Sequence, residues 1–359
     1  MHRELLKTAT RIVVKLGTGT LTDAKNQPDL ARMENLVAQM AAQRKAGKEI
    51  LLVTSGAVGA GMGVLGYTKR PAVLAEQQAC AAVGQSRLMA RYERLFGQFG
   101  LHVAQVLLTH EDLQHHERHL NARNTLVTLL ERGVVPIINE NDAVSFTELK
   151  FGDNDKLSAL VACLLPADLL VILTTADGLL QNFGRPDART VPFVERINEA
   201  VEKMAGGTTS ATAVGGMASK IQAAKIATLA GIPLTIASGK KTNVLANIVA
   251  GAEEGTLFVP SSKKLKGRKR WIAFFHAARG VIHVDDGCKT ALREKGTSLL
   301  APGVVRCDGK FAEGEVVRVC DANGTEFARG IVRCGAEEAA AARSSGKSIV
   351  IHRDDLVLL

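Results

Sequence analysis

At 359 residues, with 46% apolar side chains and only 4% aromatics, the chain has room for two domains and a sizeable core. Its net charge of +9 is local: residues 263–270 carry six positive charges, while 277–359 holds twelve basic and twelve acidic residues, which argues against a broad polyanion-binding surface. The six cysteines form no CxxC pair and no His/Cys set has zinc-finger spacing, so reduced thiols in a cytosolic protein are expected.

Apolar runs and helical spacing alternate through about the first 260 residues. Residues 12–14 read as a buried strand, 30–44 as a helix stopped at Gly47, and 50–53 as the next strand. A helix over 72–96, a strand over 103–108, a helix over 120–130 and a strand over 134–138 follow. Then come a helix over 157–164, a strand over 169–173, a helix over 217–229 and a strand over 233–236. The N-terminus shows no signal-peptide core. The most apolar stretch, 159–176, contains Pro166 and Asp168 and reads as helix end, turn and strand rather than a membrane span. Short strands alternating with helices predict an α/β fold with a doubly wound, mainly parallel open sheet. After Gly255 the pattern changes. Residues 260–270 are polar and basic, and read as a linker. Beyond them, short alternating strands over 281–284, 304–307, 315–320 and 327–333 have tight-turn signals at Asp308-Gly309 and Asn323-Gly324. The expected organisation is a first domain over 1–258, a basic linker over 259–275, and a small β-rich, barrel-like domain over 276–359.

The chemistry concentrates in the first domain. An acid-and-amide cluster, Asn139-Glu140-Asn141-Asp142 and then Gly152-Asp153-Asn154-Asp155-Lys156, follows the 134–138 strand. Ligands bind at the carboxyl ends of such strands, and Asn and Asp can fix an ammonium, orient a carboxylate, or hold a cation or a lysine. An Asx-rich turn around Gly152 is the plainer alternative. Lys15 ends the first strand and is followed by Gly17-Thr18-Gly19. Glycines let backbone N–H groups approach phosphate, and the lysine adds a point charge. No GxxxxGK[ST] motif is present; Gly346-Lys347-Ser348 imitates its end, but Ala341 stands where the first glycine belongs. Thr54-Ser55-Gly56-Ala57 can receive a carboxylate or phosphoryl group, or cap a helix, or both. Val214-Gly215-Gly216-Met217-Ala218-Ser219-Lys220 is a second glycine loop opening a helix. A lysine in a first helical turn is disfavoured by the dipole, which a nearby anion such as ATP phosphate would offset; a solvated lysine is the alternative. Two lysines, two glycine loops and a carboxylate cluster suit phosphoryl transfer, where catalysis is positioning and charge neutralisation.

In this order the residues resemble the amino acid kinase family, and within it the members that phosphorylate glutamate. The resemblance is carried by Val14-Lys15-Leu16-Gly17-Thr18, Thr54-Ser55-Gly56-Ala57, Ala82-Val83-Gly84-Gln85, Asn121-Ala122-Arg123, Ile138-Asn139-Glu140-Asn141-Asp142, Gly152-Asp153-Asn154-Asp155 and Gly215-Gly216-Met217. It covers nearly the whole chain, and residues 276–359 resemble the PUA domain found on many such bacterial kinases. The resemblance implies ATP-dependent phosphorylation of the L-glutamate side-chain carboxylate, the first step of proline biosynthesis. It implies that Lys15 and Lys220 neutralise the moving phosphoryl group and that Asp155 orients them. Ser55, Gly56, Asp142, Asp153 and Asn154 would bind glutamate, with Asp142 suited to its ammonium. Lys15, Gly17, Thr174, Thr175 and the run Val214, Gly215, Gly216, Met217, Ala218, Ser219 and Lys220 would hold ATP. Mg²⁺ would arrive with the ATP phosphates, since no all-protein metal cage is visible. Proline would be a feedback inhibitor, and the protein a cytoplasmic homo-oligomer.

The chain departs from the family pattern at Thr174-Thr175, where Thr-Asp is usual, and at Val214, where threonine is usual. A carboxylate and a hydroxyl are thereby missing from the nucleotide side, which bears on nucleotide affinity or base preference. The C-terminal domain looks shortened before Ile349. His110, His115, His116 and His119 sit among Glu111, Asp112, Glu117 and Arg118 and read as a solvated polar face rather than a metal site. Two rival readings remain: a kinase of the same fold acting on another carboxylate or carbamate, and an RNA-binding protein using the C-terminal domain. The paired Asn/Asp clusters weigh against the first. The neutral charge and scarce aromatics of the C-terminal domain weigh against the second.

Overall fold

The computed structural model describes residues 2–23, 28–145, 154–206, 216–261, 265, 267–276, 278–341 and 348–359. The chain divides into two compact units, Met1–Lys263 and Lys264–Leu359.

In the first unit, β1 (Arg11–Leu16), β2 (Glu49–Thr54), β3 (Val103–Leu108), β4 (Val135–Glu140) and β5 (Leu169–Thr174) alternate with helices. The two-stranded ribbon β6 (Leu180–Gln181) and β7 (Arg189–Thr190) follows, then β8 (Phe193–Val194), β9 (Leu234–Ser238) and β10 (Thr256–Phe258). The main sheet runs β3-β4-β2-β1-β5-β9-β10-β8, parallel from β3 to β9, with β10 antiparallel to β9. This is the doubly wound, mainly parallel α/β sheet expected. β1, β2, β4, β5 and β9 are near-continuously apolar because helices cover the sheet and these strands are buried on both sides. The helix Asn154–Leu164 is apolar nearly all round, and every residue except Lys156 is buried, as a helix enclosed by its neighbours should be. It begins three residues earlier than its periodicity suggests, so Asn154 and Asp155 lie in its first turn. Successive strands extend the sheet one way from β1 (β2, β4, β3) and then the other way (β5, β9). The order therefore reverses at β1, the kind of switch point at which open α/β sheets form a ligand crevice beyond the carboxyl ends of the strands.

Two glycines let helices meet beside that crevice. A Cβ on Gly84, in the helix Leu74–Gly97, would lie 1.8 Å from the Ala57 carbonyl oxygen; one on Gly61 would lie 1.9 Å from the Cys80 oxygen. The helix Ala57–Met62 therefore packs backbone against backbone, and it carries Ser55 and Gly56 at its entry. Gly84→Ala must push the helices apart. The expected result is a destabilisation of about 3 kcal/mol from overpacking, read as a lowered urea midpoint at unchanged m-value. Farther away, Arg3 donates to the carbonyls of Pro192, Ala252, Glu254 and Gly255 at 2.8–3.0 Å, tying the first helix, Glu4–Lys7, to the segments flanking β8 and β10.

The second unit contains β11 (Gly280–Val284), β12 (Leu299–Leu300), β13 (Val304–Gly309), β14 (Val316–Cys320), β15 (Glu326–Val332) and β16 (Ile349–Leu358), in the order β12-β16-β15-β14-β11-β13. Only β11 and β14 pair in parallel. Ile282, Val317, Val319, Phe327, Val332 and Val350 form its core. Asn323-Gly324 is the turn between β14 and β15: Gly324 has φ +80, and Asp321 Oδ1 accepts from the Asn323 and Thr325 N–H groups. Asp308-Gly309 is not a turn but the end of β13, paired with Val281 and Gly280. Its polar character has another cause: Asp308 Oδ2 lies 2.9 Å from Nε2 of the buried His283. Part of the segment read as a linker forms the helix Gly267–Phe274, whose Ile272 and Ala273 pack on Val316 and Val357. The surrounding basic residues hid that apolar face. Among the described residues, no helix is long and apolar enough to cross a membrane.

Candidate active site

Three buried charges meet at the carboxyl end of β1. Lys15, aligned with Val53 of β2 and Ile172 of β5, is 4% exposed. Lys220, in the first turn of the helix Met217–Leu229, is 7% exposed, and Asp155 is 0% exposed. Lys15 Nζ lies 2.5 Å from Asp155 Oδ1, and Lys220 Nζ lies 2.8 Å from Oδ2. The Ser219 hydroxyl is 2.9 Å from Oδ2 and also from the Gly216 carbonyl. Burial by itself would raise the Asp155 pKa. The flanking Lys15 and Lys220 ammoniums, and their hydrogen bonds, outweigh it and hold the carboxyl well below the usual carboxylate range. The carboxylate is thus ionised throughout the neutral range and carries one ammonium on each oxygen. It also offsets the cost of a lysine in the first turn of a helix. The triad has a formal net charge of +1, with both cations at the carboxyl end of β1, an arrangement suited to phosphoryl oxygens.

Of the residues expected to bind the acceptor, Asn154 and Ser55 meet next to this triad. Asn154 Nδ2 donates to the Thr54 carbonyl at 2.5 Å, to Asn139 Oδ1 at 2.7 Å and toward Ser55 Oγ at 3.1 Å. Gly56 follows with φ +105, a left-handed conformation that turns the chain from β2 into the helix Ala57–Met62. Asp142 sits in the turn after β4, half-buried, and burial pushes its carboxyl up to about 6 against an opposing influence from Arg70.

On the expected nucleotide side, Gly17 precedes the short helix Thr18–Leu21, and a Cβ there would lie 3.4 Å from Lys15 Nζ. Thr174 ends β5 and its carbonyl accepts from the Gly239 N–H at 2.9 Å. Thr175 is exposed and close to Gly19, where a Cβ would lie 3.2 Å from its methyl. Gly216 caps the Lys220 helix, Met217 is buried and Ala218 is exposed. Asp153, Val214 and Gly215 lie outside the described residues.

Some participants were in recognised motifs without an assigned role. Asn139 and Gln85 are buried, and Asn139 Nδ2 donates to Gln85 Oε1 at 2.9 Å. The buried Tyr92 hydroxyl lies 2.8 Å from Thr54 Oγ1 and braces the end of β2. A glutamine on the buried face of a long helix was the signal in the sequence.

Residues 10–238 match the amino acid kinase family, and residues 280–354 match the PUA domain. The chain belongs to the amino acid kinase family. It is 48% identical to the glutamate 5-kinase of Geobacter sulfurreducens, with 100% of both chains covered. It is 46% identical to the glutamate 5-kinase of Moorella thermoacetica, over 99% of this chain and 98% of that one. Carbamate kinase from Giardia lamblia bound to AMP-PNP superposes with a TM-score of 0.52 at 19% identity, covering 71% of this chain and 100% of the other; that likeness is one of fold.

Proposed function

We propose that the protein transfers the γ-phosphoryl group of MgATP to the side-chain carboxylate of L-glutamate, giving γ-glutamyl phosphate and ADP, the first step of proline biosynthesis in the cytoplasm. The observation that carries this reading is the pair of buried lysines sharing Asp155 beside the Asn154–Ser55 corner. Full-length identity to glutamate 5-kinases supports the choice of acceptor. A carboxylate oxygen of the substrate forms the new P–O bond as the bond from the γ-phosphorus to the bridging oxygen breaks, and the electron pair leaves on ADP. Lys15 and Lys220 counter the charge on the transferring oxygens. Asp142 pairs with the substrate ammonium, and Asn154 contributes Oδ1 as an acceptor. Mg²⁺ enters as part of the nucleotide substrate. Asp155 is engaged by Lys15, Lys220 and Ser219, so the ion would rely chiefly on the phosphate oxygens and water for its ligands.

The test is ATP turnover with Mg²⁺, with and without L-glutamate, trapping acyl phosphate with hydroxylamine. Glutamate-dependent hydroxamate is expected. Turnover only with aspartate, N-acetylglutamate or carbamate would move the protein to another acceptor. A proline titration in the same assay tests feedback inhibition, and sedimentation of the full chain tests homo-oligomerisation.

Asp142 makes the reaction pH-dependent in a defined direction. Below about 6 its carboxyl is protonated and neutral, and cannot pair with an ammonium. With glutamate as the varied substrate, kcat/KM should fall toward about tenfold per pH unit below that value, because kcat/KM reports the free enzyme. In Asp142→Asn this acid limb should vanish and the glutamate KM should be high at every pH.

A further inference from the structure

Four side-chain amides form a head-to-tail chain from the candidate acceptor site to the surface. Asn154 Nδ2 donates to Asn139 Oδ1 at 2.7 Å, Asn139 Nδ2 to Gln85 Oε1 at 2.9 Å, and Gln85 Nε2 to Gln105 Oε1 at 3.0 Å. An amide's oxygen and nitrogen are hard to tell apart by shape, so its orientation is settled by neighbours that cannot exchange roles. Two backbone groups do this here. The Thr54 carbonyl can only accept, and it faces Asn154 Nδ2; the Glu140 N–H can only donate, and it faces Asn139 Oδ1. With the direction set, the amide chain uses only the nitrogen of Asn154, which leaves its Oδ1 as the acceptor for a ligand. Asn139 is 1% exposed, so its remaining donor needs a buried acceptor or loses its hydration uncompensated. Gln85 supplies that acceptor and is itself held by Gln105 on β3.

We infer that Gln85 is a positioning residue for the acceptor subsite. Through Asn139 it reinforces the orientation that the Thr54 carbonyl and the Glu140 N–H impose, keeping the Asn154 amide oxygen for the substrate, and thereby favours acceptors that carry a hydrogen-bond donor, such as an ammonium, at that point. The inference rests on the glutamate reading above and assigns a role within that site.

The test uses the full chain and steady-state kinetics with each substrate varied. Gln85→Met, which keeps the bulk and removes both hydrogen bonds, should raise the glutamate KM about tenfold, the order expected for one oriented hydrogen bond. The ATP KM and kcat should stay within about twofold. Gln85→Glu keeps an acceptor for Asn139, and the exposed Gln105 can rotate to donate, so the glutamate KM should return to within about threefold of the original. If Gln85→Met folds poorly, Gln105→Leu at the exposed end replaces it, with a smaller rise of about twofold to threefold in the same KM. The inference is overturned if a folded Gln85→Met keeps its glutamate KM, if both KM values rise together without rescue by glutamate at position 85, or if Gln105→Leu must be used and leaves the glutamate KM unchanged. Hydroxamate formation by the unaltered protein runs alongside. Its absence with glutamate refutes the substrate reading, and the same comparison is then made with the acceptor that does turn over.

Discussion

Lys220→Ala is expected to lower kcat by about 10²–10³, the loss typical of removing one preorganised group that stabilises developing charge, while the glutamate KM changes little. Lys220 pairs with Asp155 at 2.8 Å, and the acceptor is expected at the Asn154–Ser55 corner. Its ammonium is buried and held by Asp155, so in the proposed reaction it would meet charge on the transferring oxygens without solvent reorganisation. A loss confined to kcat marks an interaction made chiefly in the transition state. Lys220→Arg should not restore activity, because a planar guanidinium places its charge differently from a compact ammonium. Near-normal turnover by Lys220→Ala would refute the assignment of charge neutralisation to this residue.

Asp155→Ala should affect stability as well as turnover. It removes the carboxylate that Lys15 and Lys220, 4% and 7% exposed, share as a counter-charge. Removing one partner of a buried ion pair costs about 3–5 kcal/mol, and here one deletion breaks two such pairs at once. The urea midpoint should drop accordingly, and turnover should fall at least as far as for Lys220→Ala. Asp155→Asn, which keeps the shape, separates charge from packing: a similar loss in both variants places the effect on the carboxylate's charge. The acid dependence has a fixed sign. The folded-state pKa is depressed, so this stabilisation is complete above the unfolded pKa of about 3.9. It declines only as pH falls below that value toward the folded pKa, where the unfolded chain binds the proton first. In Asp155→Asn the fall of the urea midpoint below pH 4 should be shallower.

Much of this could be read along the chain, for a local reason. Parallel strands buried on both sides must be apolar throughout, so β1, β2, β4, β5 and β9 announced themselves, and glycine and polar clusters after three of them marked the ligand end of the sheet. Lys15, Ser55, Asn154, Asp155 and Lys220 stood in or beside motifs whose residue types suit phosphoryl transfer, and the order of those motifs pointed to the family. The meeting of Lys15 and Lys220 on the two oxygens of one carboxylate was decided by tertiary structure. It depends on β5 lying beside β1 and on the Asn154–Leu164 and Met217–Leu229 helices packing together, and no local pattern encodes strand order. The same holds for the amide chain: Gln105, Gln85, Asn139 and Asn154 come from four elements, and only their packing shows which nitrogen meets which oxygen. In the second unit, Asp308-Gly309 carries a turn signature yet ends a strand, because pairing with β11 and the contact with His283 outweigh a dipeptide preference. Local sequence thus determined the strands, the crevice they open onto and the kind of chemistry placed there; long-range packing alone decided which charges share a partner and which way each amide faces.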